Sequence, residues 1–351
     1  MQVFHIESGL GNQMLSYSEL IALRKMNPDE PFYLETLVYD IPECCETIRQ
    51  WNGYELDKVF GIQTPNVKSL FSDEEWKTVY DKVVESEFWK KNWNYAPYTV
   101  AALNSVGLML VNDLPDRESV STANMSPAKI LLMKLRKWFN DGTYLGSTFK
   151  RIVKNNLIDF NNSGYEKILF KRVESDMFSG QRLLMKLKGS GMELIEQEVR
   201  SAFSFPEFVD EKNKEFAEFL DSQNGVFIHA RRGDMLSANG WCYKYGYFKR
   251  AVKYMKKHVC NPVFVFFTDP GSVEWCKQNA RVFGLDFSAD RVLFVDWNKG
   301  ESSFRDMQLM AHCKHGIITN STFGWWGTFF ITNPDKITIS PMAEINTTVH
   351  C

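Results

Sequence analysis

The feature that most constrains the fold is a repeated alternation of short apolar runs and longer helical segments after residue 210. Runs rich in β-branched and aromatic residues, which predict strands, lie at 226–230, 263–268, 292–296, 316–320 and 336–340. Helical periodicity fills the intervening segments, at 245–258, 272–283, 304–313 and 323–331. Continuous apolar strands that alternate with helices are typical of a parallel sheet covered on both faces. The pattern therefore predicts an α/β fold, with a Rossmann-like domain from about residue 211 onward.

The N-terminal part begins in the same way, although its later periodicity is weaker. A strand is predicted at 2–6, followed by a glycine-containing turn and a helix over 12–26. Chain breakers at 161–164 and 189–191 mark 160–210 as a linker region. A chain of 351 residues is long enough for two domains of ordinary size. We predict an N-terminal α/β domain over 1–200, including the linker from about 160, and a C-terminal one over 201–351.

Composition and charge exclude several classes of function. The 41 Lys and Arg residues nearly balance the 43 Asp and Glu residues, so the net charge of -2 creates no field that attracts nucleic acid. A hydrophobic content of 44% excludes a disordered chain. No apolar stretch reaches the ~18 residues of a membrane span, and nothing resembling a signal peptide precedes the first strand. We expect a cytoplasmic protein in which any site for an anionic ligand is local.

The segment 126–140 has the pattern of a basic amphipathic helix. Ser126 is suited to be its N-cap residue, and Pro127 is favourable in the first turn. One interpretation is a docking helix for an anionic membrane surface, which would make the protein peripheral at the inner membrane. The other is a buried helix with a solvated Lys and Arg edge. We favour the buried helix, because short basic stripes are common on protein surfaces.

The first of three loops that could bind a diphosphate is Gly9-Leu10-Gly11-Asn12-Gln13, directly after the predicted strand 2–6. Its glycines allow the backbone to approach a ligand, and a following helix offers unpaired N–H groups to an anion. Asn12 is suited to cap the helix or to bond a sugar or phosphate oxygen. A third glycine is missing, so a simple tight turn is the alternative.

The second loop, His229-Ala230-Arg231-Arg232-Gly233-Asp234, lies at the C-terminal end of strand 226–230. Ligands of parallel sheets bind at that edge. Adjacent arginines on an extended backbone point in different directions, so one can face a phosphate while the other pairs with Asp234 or another carboxylate. A surface salt bridge is the alternative, but the position at a strand end favours binding.

The third loop is Asn320-Ser321-Thr322-Phe323-Gly324-Trp325-Trp326, between strand 316–320 and a helix. Small polar side chains beside the unpaired N–H groups of a helix N-terminus form an anion site. Plain helix capping is the alternative. In either case we predict that Trp325 and Trp326 pack in the core.

The sequence lacks three common motifs for binding nucleotides or metal ions. There is no Gly-Lys dipeptide of a phosphate-binding loop, no H-E-x-x-H, and no Asp-x-Asp that would hold a metal against a sugar nucleotide. We therefore expect no metal and no cofactor, and a diphosphate site built from arginine and helix dipoles.

Together these segments resemble the fucosyltransferases of glycosyltransferase family 11, which make α-1,2 linkages from GDP-fucose. The family pattern Gly-x-Gly-Asn-Gln is similar to 9–13, the box His-x-Arg-Arg-Gly-Asp to 229–234, and the closing signature to 306–327. The resemblance covers 1–26 and about 196–341. It implies a GT-B architecture, in which two Rossmann-like domains face each other across a cleft. GDP would bind mainly to the C-terminal domain and the acceptor to the N-terminal one.

The resemblance also implies an activity: the inverting, metal-independent transfer of fucose to a terminal galactose in glycan biosynthesis. The acceptor would be an oligosaccharide or a lipid-linked glycan. Two alternatives remain open. One is another GDP-sugar transferase of different linkage, and the other is a non-catalytic sugar- or nucleotide-binding protein on the same fold.

By the same resemblance, Arg231 would bind the β-phosphate and stabilise the departing GDP. Asn12 would contact the same phosphate or the fucose, and Asp234 or Glu7 is the candidate general base. His229 and Asp306 would recognise guanine or ribose. The residues implied in donor binding are Gly9, Gly11, Asn12, His229, Arg231, Asp306, Asn320, Ser321, Thr322 and Phe323.

Overall fold

The chain divides into two units by its internal contacts. The computed structural model describes residues 1–47, 52–114, 126–146, 148–149, 172–173, 175–180, 192–233, 235–342 and 345–351. The first unit comprises the described residues of Met1–Leu132 and Asn161–Ser204, and the second those of Met133–Phe160 and Phe205–Cys351. The sequence places a single boundary near 200. The contacts place it at 204 and assign 133–149 to the second unit as well.

The first unit is built on a four-stranded parallel sheet. Its strands are β1 (Gln2–His5), β2 (Phe32–Glu35), β3 (Val111–Asn112) and β4 (Met177–Ser179). Their order is β2-β1-β4-β3, and β1 pairs with β2 on one side and β4 on the other. The prediction of a linker over 160–210 is therefore wrong at β4, where Phe178 is fully buried in the sheet. A strand of three residues is too short to show a periodic signal.

In the described part of the chain, five helices lie between β1 and β3. They are α1 (Leu10–Met26), α2 (Pro42–Thr47), α3 (Leu56–Phe60), α4 (Asp73–Glu85) and α5 (Ala96–Asn104). After them come α6 (Pro127–Gly142) and α7 (Glu196–Ala202). Short 3-10 turns lie at Leu37–Tyr39, Val67–Leu70, Phe88–Lys90 and Met192–Leu194. Most residues of α1 are buried, and its N-cap residue Gly9 lies four residues after the end of β1.

Helix α6 contradicts the favoured interpretation of its sequence. Leu131, Leu135 and Trp138 are each more than half exposed, so α6 is not a buried helix with a solvated edge. Amphipathic periodicity predicts a helix with an apolar face, but whether another element covers that face depends on packing. Within the described ranges, no helix combines the length and apolar content needed to cross a membrane.

The second unit is built on a six-stranded parallel sheet. Its strands are β5 (Gly225–Ala230), β6 (Val263–Thr268), β7 (Arg291–Val295), β8 (His315–Ile318), β9 (Thr338–Ser340) and β10 (Val349–His350). The order is β10-β9-β8-β5-β6-β7, which is the Rossmann order 3-2-1-4-5-6 read from the other side. The predicted α/β class is confirmed, with a parallel sheet in each unit as the GT-B expectation requires. All five predicted C-terminal strands are confirmed within a few residues.

Helices flank this sheet at nearly every connection. They are α8 (Glu211–Ser222), α9 (Leu236–Lys244), α10 (Tyr247–His258), α11 (Val273–Gln278), α12 (Ala280–Phe283), α13 (Phe304–His312) and α14 (Thr322–Phe330), with a 3-10 turn at Gly300–Ser302. The predicted helix 245–258 is preceded by α9, and Gly246 at a φ of 74° separates the two. That left-handed conformation favours glycine. Buried β5 and β6 form the centre of the core.

Candidate active site

The C-terminal edge of the second sheet brings two of the three predicted loops together. From β5 the chain moves outward to β6 and β7, then returns to β8 on the opposite side of β5. The crevice between β5 and β8 is thus the switch point, where open α/β sheets bind ligands. Arg231 follows β5, and 320–323 follow β8. Because β5 and β8 are adjacent and parallel, their loops flank this crevice.

Arg231 is held by a carboxylate that the loop motif does not contain. Its Nη1 forms an ion pair with Oδ1 of Asp269, which follows β6. The other carboxylate oxygen of Asp269 accepts the backbone N–H of Arg232. The Asp269 side chain is fully buried, whereas the Arg231 side chain is 25% exposed. A buried carboxylate therefore orients a guanidinium whose charge reaches the surface of the crevice.

Arg232 points elsewhere, as the extended backbone predicts. Its guanidinium carbon lies 3.3 Å from the ring centroid of Trp275 and 5.1 Å from that of Tyr243. The hydroxyl of Tyr243 donates to the carbonyl of Arg231 at 3.1 Å. This cation-π packing fixes the loop. Asp234, which the sequence offered as a carboxylate partner and as a base, lies outside the described residues.

The N-terminus of α14 forms the other side of the crevice. Ser321 is the N-cap residue, and its side chain makes no capping hydrogen bond, so the alternative of plain side-chain capping does not hold. Thr322 and Phe323 are partly exposed in the first turn. First-turn N–H groups lack partners within the helix, and the helix dipole makes this end positive. The arrangement is suited to bind an anion.

Asn320 is fixed by a residue on another helix. Its backbone N–H donates to Oδ1 of Asn239 at 3.2 Å, and the Asn239 amide donates to the Asn320 carbonyl at 3.4 Å. Asn239 lies on α9 and is fully buried. Trp325 and Trp326, farther along α14, are buried, so their predicted place in the core is confirmed.

His229 lies at the end of β5, beneath the start of α14. The residue is 4% exposed, and its buried Nδ1 has no hydrogen-bond partner among the described residues. A Cβ at position 324 would lie 2.4 Å from this Nδ1, so only glycine lets the helix approach so closely. Burial, and then the charge of Arg231, lowers the pKa of His229 to about 3. The ring is therefore neutral at physiological pH.

Asp306 occupies the first turn of α13 and is partly buried. The side-chain amide of Asn298 donates to its Oδ1 at 2.8 Å. Burial raises the pKa of Asp306 to about 7, against the opposing effect of the Asn298 hydrogen bond and with the help of Asp296. This carboxyl group therefore changes charge near neutral pH.

The motif at 9–13 begins a helix in the first unit, at the end of β1. Gly9 is the N-cap residue of α1, so Asn12 does not cap the helix. Asn12 lies in the first turn and is partly exposed. Gln13 is fully buried, and its amide donates to the carbonyls of Ser8 and Gly53 at 2.9 Å each. The pattern therefore combines a structural glutamine with an asparagine that faces outward.

Glu7 precedes this motif and lies in a buried polar cluster. Its carboxylate accepts a hydrogen bond from the indole N–H of Trp93 at 2.6 Å and lies 3.6 Å from Nε2 of His5. His5 pairs through Nδ1 with Glu35. Burial alone would lower the pKa of His5, but Glu35 and Glu7 outweigh it and raise this pKa to about 9. The described part of the chain contains no group of three residues arranged to hold a metal ion.

Sequence reasoning missed two residues of this site, Asp269 and Asn239. Asp269 could have been found, because it directly follows a predicted strand whose end lies at the same sheet edge as Arg231. Asn239 carries no such signal, since its role depends on how α9 packs beside β8.

Comparisons with known proteins find a family model that matches the part of the chain containing the second and third loops. The model of the family "Glycosyl transferase family 11" matches residues 192–350. An α-1,2-colitosyltransferase of Escherichia coli is 30% identical over 229 residues, which are 59% of this chain and 75% of the relative. The O-antigen biosynthesis glycosyltransferase WbnK of the same organism is 31% identical over 127 residues, 34% of this chain and 39% of the relative.

A mammalian relative and a solved structure are also similar. Galactoside α-(1,2)-fucosyltransferase 1 of Saimiri sciureus is 31% identical over 109 residues, 30% of this chain and 28% of the relative. The crystal structure of NodZ α-1,6-fucosyltransferase co-crystallized with GDP is 12% identical, with a TM-score of 0.45 over 97% of this chain and 95% of that chain. The matches to WbnK and to the mammalian enzyme thus span well under half of each relative.

Proposed function

Because this chain belongs to glycosyl transferase family 11, we propose that it transfers fucose from GDP-fucose to the 2-hydroxyl of a terminal galactose in a glycan. Its membership in the family makes the chain a glycosyltransferase. The α-1,2 linkage is supported by the names of two relatives, and the galactose acceptor by one of them. The observation that carries the proposal is Arg231, oriented by Asp269 at the switch point of the second sheet.

The reaction breaks the bond between the anomeric carbon of fucose and the β-phosphate oxygen. The acceptor oxygen forms the new bond from the opposite face, and its proton leaves. Negative charge then grows on the departing diphosphate. Arg231 and the first-turn N–H groups of α14 supply positive charge there without metal, because a guanidinium and a helix N-terminus both bind phosphate oxygens.

The other predicted residues take supporting roles in this proposal. The Asp306 carboxylate accepts the N1–H and N2–H of guanine, which would favour GDP over UDP because UDP would leave these hydrogen bonds of a partly buried carboxylate unmade. His229 supports the start of α14 and binds the nucleotide through its neutral ring. Asn12, partly exposed at the start of α1, is the candidate in the first unit for a sugar or phosphate contact.

Glu7 is the candidate base among the described residues. The Trp93 hydrogen bond orients its carboxylate. A base contributes less where the sugar carbon already carries positive charge in the transition state, because a weakly activated hydroxyl can then attack.

The decisive experiment measures release of GDP from GDP-fucose with and without a galactose-terminated acceptor, and determines the product linkage by NMR. We expect release only with acceptor, and an α-1,2 product. Arg231→Ala should lower kcat by ~10²-fold or more, the cost of one preorganised charge partner. Arg291→Ala is the matched control, since Arg291 is exposed at the opposite edge of the same sheet. Near-normal turnover of Arg231→Ala would refute the phosphate role.

A second donor deserves the same assay, because the relative matched over 75% of its length is an α-1,2-colitosyltransferase. Colitose lacks one hydroxyl of fucose. A site that hydrogen-bonds this hydroxyl would reject the deoxy sugar by ~10⁴-fold, whereas a site without such a partner would accept both. The ratio of kcat/KM for GDP-fucose and GDP-colitose decides between the two donors.

A further inference from the structure

Helix α6 presents an apolar face to solvent. The large apolar side chains on this face are 43 to 66% exposed, and they are Leu131, Leu132, Leu135, Trp138 and Phe139. Their spacing includes the i, i+4, i+7, i+8 pattern of 131, 135, 138 and 139, which places them on one side of the helix. Contiguous apolar patches of this kind mark interaction sites on proteins.

Basic side chains border this face on both sides. At about 3.6 residues per turn, Lys134 lies along one edge, while Lys129 and Arg136 lie along the other. All three are exposed, and the segment 126–140 contains no Asp or Glu. The whole chain has a net charge of -2, so this concentration of positive charge is local.

Three apolar side chains that follow the helix in sequence are also exposed. Tyr144, Leu145 and Phe149 are 59 to 72% exposed. The ring of Tyr144 meets that of Tyr245 edge-on at 6.2 Å, which attaches this segment to the second unit. The segment that follows α6 therefore contacts the second unit.

We propose that α6 docks the protein on an anionic lipid surface, with its apolar face in the interfacial layer and its basic edges at the headgroups. An apolar face rich in Leu, Trp and Phe between basic edges is the pattern of an interfacial helix. Charge selects this occupant over a second copy of the chain, because pairing two α6 faces would bring their lysines and arginines together. This inference does not depend on the proposed function, because it rests on α6 and not on the donor site.

The test uses the full chain and two kinds of vesicle, phosphatidylcholine alone and an equimolar mixture of phosphatidylcholine with phosphatidylglycerol. We expect the wild type to bind the anionic vesicles at least ~10-fold more tightly, with the difference lost at high salt. Leu135→Glu and Trp138→Glu should each weaken this binding at least ~10-fold. The triple change Lys129→Gln, Lys134→Gln and Arg136→Gln should abolish the preference for anionic vesicles.

Val209→Glu is the matched control, because Val209 is 91% exposed, apolar and outside α6. It should bind vesicles like the wild type. Circular dichroism and transfer to a soluble acceptor verify that each variant is folded. The proposal is overturned if the wild type binds both kinds of vesicle equally well, or if Val209→Glu weakens binding as much as Leu135→Glu. It is also overturned if the wild type binds no vesicles and is instead a dimer that Leu135→Glu dissociates.

Discussion

At the scale of single residues, the ion pair of Arg231 and Asp269 contributes both to the stability of the fold and to the proposed binding of phosphate. Asp269 is fully buried and bonds both to the Arg231 side chain and to the Arg232 backbone. A buried charge that loses its partner is costly, whereas the same pair on a surface contributes little. Asp269, which orients Arg231 for the proposed contact with phosphate, therefore also stabilises the fold.

The change Asp269→Asn should lower the free energy of unfolding by ~3 kcal/mol, because it weakens a buried ion pair. It should also lower kcat, since Arg231 is no longer held in place. Denaturant unfolding and steady-state kinetics measure the two effects. Asp290→Asn breaks a partly exposed pair with Lys256 and should cost less than ~1 kcal/mol without changing kcat. Equal behaviour of the two variants would contradict this account.

If Asp306 binds guanine as proposed, donor binding should depend on pH. Its pKa is raised to about 7, chiefly by burial, so the folded protein holds a proton on it below that pH. Only the ionised carboxylate accepts two hydrogen bonds from guanine. We therefore expect the Kd for GDP to fall as the pH rises through about 7, and Asp306→Asn to bind GDP weakly at every pH.

Calorimetric titration with GDP at several pH values tests this dependence. Asp335→Asn, a change at an exposed carboxyl group, should retain the pH profile of the wild type. If Asp306→Asn also retained that profile, another group would have to carry it.

At the scale of elements, α14 depends on two glycines to reach its place. A Cβ at Gly324 would lie 2.4 Å from Nδ1 of His229, and one at Gly327 would lie 2.7 Å from the sulfur of Met310. The two glycines are three residues apart and so face the same way. They allow α14 to lie close to β5 and α13, which positions its N-terminus at the crevice.

The change Gly324→Ala should therefore displace the start of α14, weaken GDP binding and lower Tm. Gly327→Ala should have a smaller effect, because the atom nearest to the added Cβ is the sulfur of the flexible Met310 side chain, at 2.7 Å. Gly240→Ala is the control, since a Cβ there meets nothing within 4 Å and alanine is favoured in a helix by ~1 kcal/mol. Thermal unfolding and GDP titration measure the three variants. A normal Kd for Gly324→Ala would show that the close approach does not position the helix.

At the scale of the whole molecule, the near balance of positive and negative charge restricts how the protein can bind a diphosphate. A net charge of -2 provides no general attraction for it. The proposed donor site therefore relies on Arg231 and on the N-terminus of α14, both in the second unit.

Transfer should accordingly proceed at an unchanged rate after dialysis against EDTA, because arginine and helix N–H groups already supply the charge on the diphosphate. The measurement compares kcat before and after chelation, and again after Mn²⁺ is added. A loss of turnover that Mn²⁺ restores would contradict the metal-independent mechanism.

The sequence by itself determined the class of the fold, the C-terminal strands and the loops at β1, β5 and β8. It could do so because strand and helix periodicity are local, and because parallel strands deliver their C-terminal loops to one edge. Tertiary structure alone decided that Asp269 holds Arg231, that β4 is an inner strand, and that the apolar side chains of α6 are exposed. These features depend on how residues far apart in the chain pack against one another. They arise from strand order and packing, and neither of these can be predicted from a local sequence pattern.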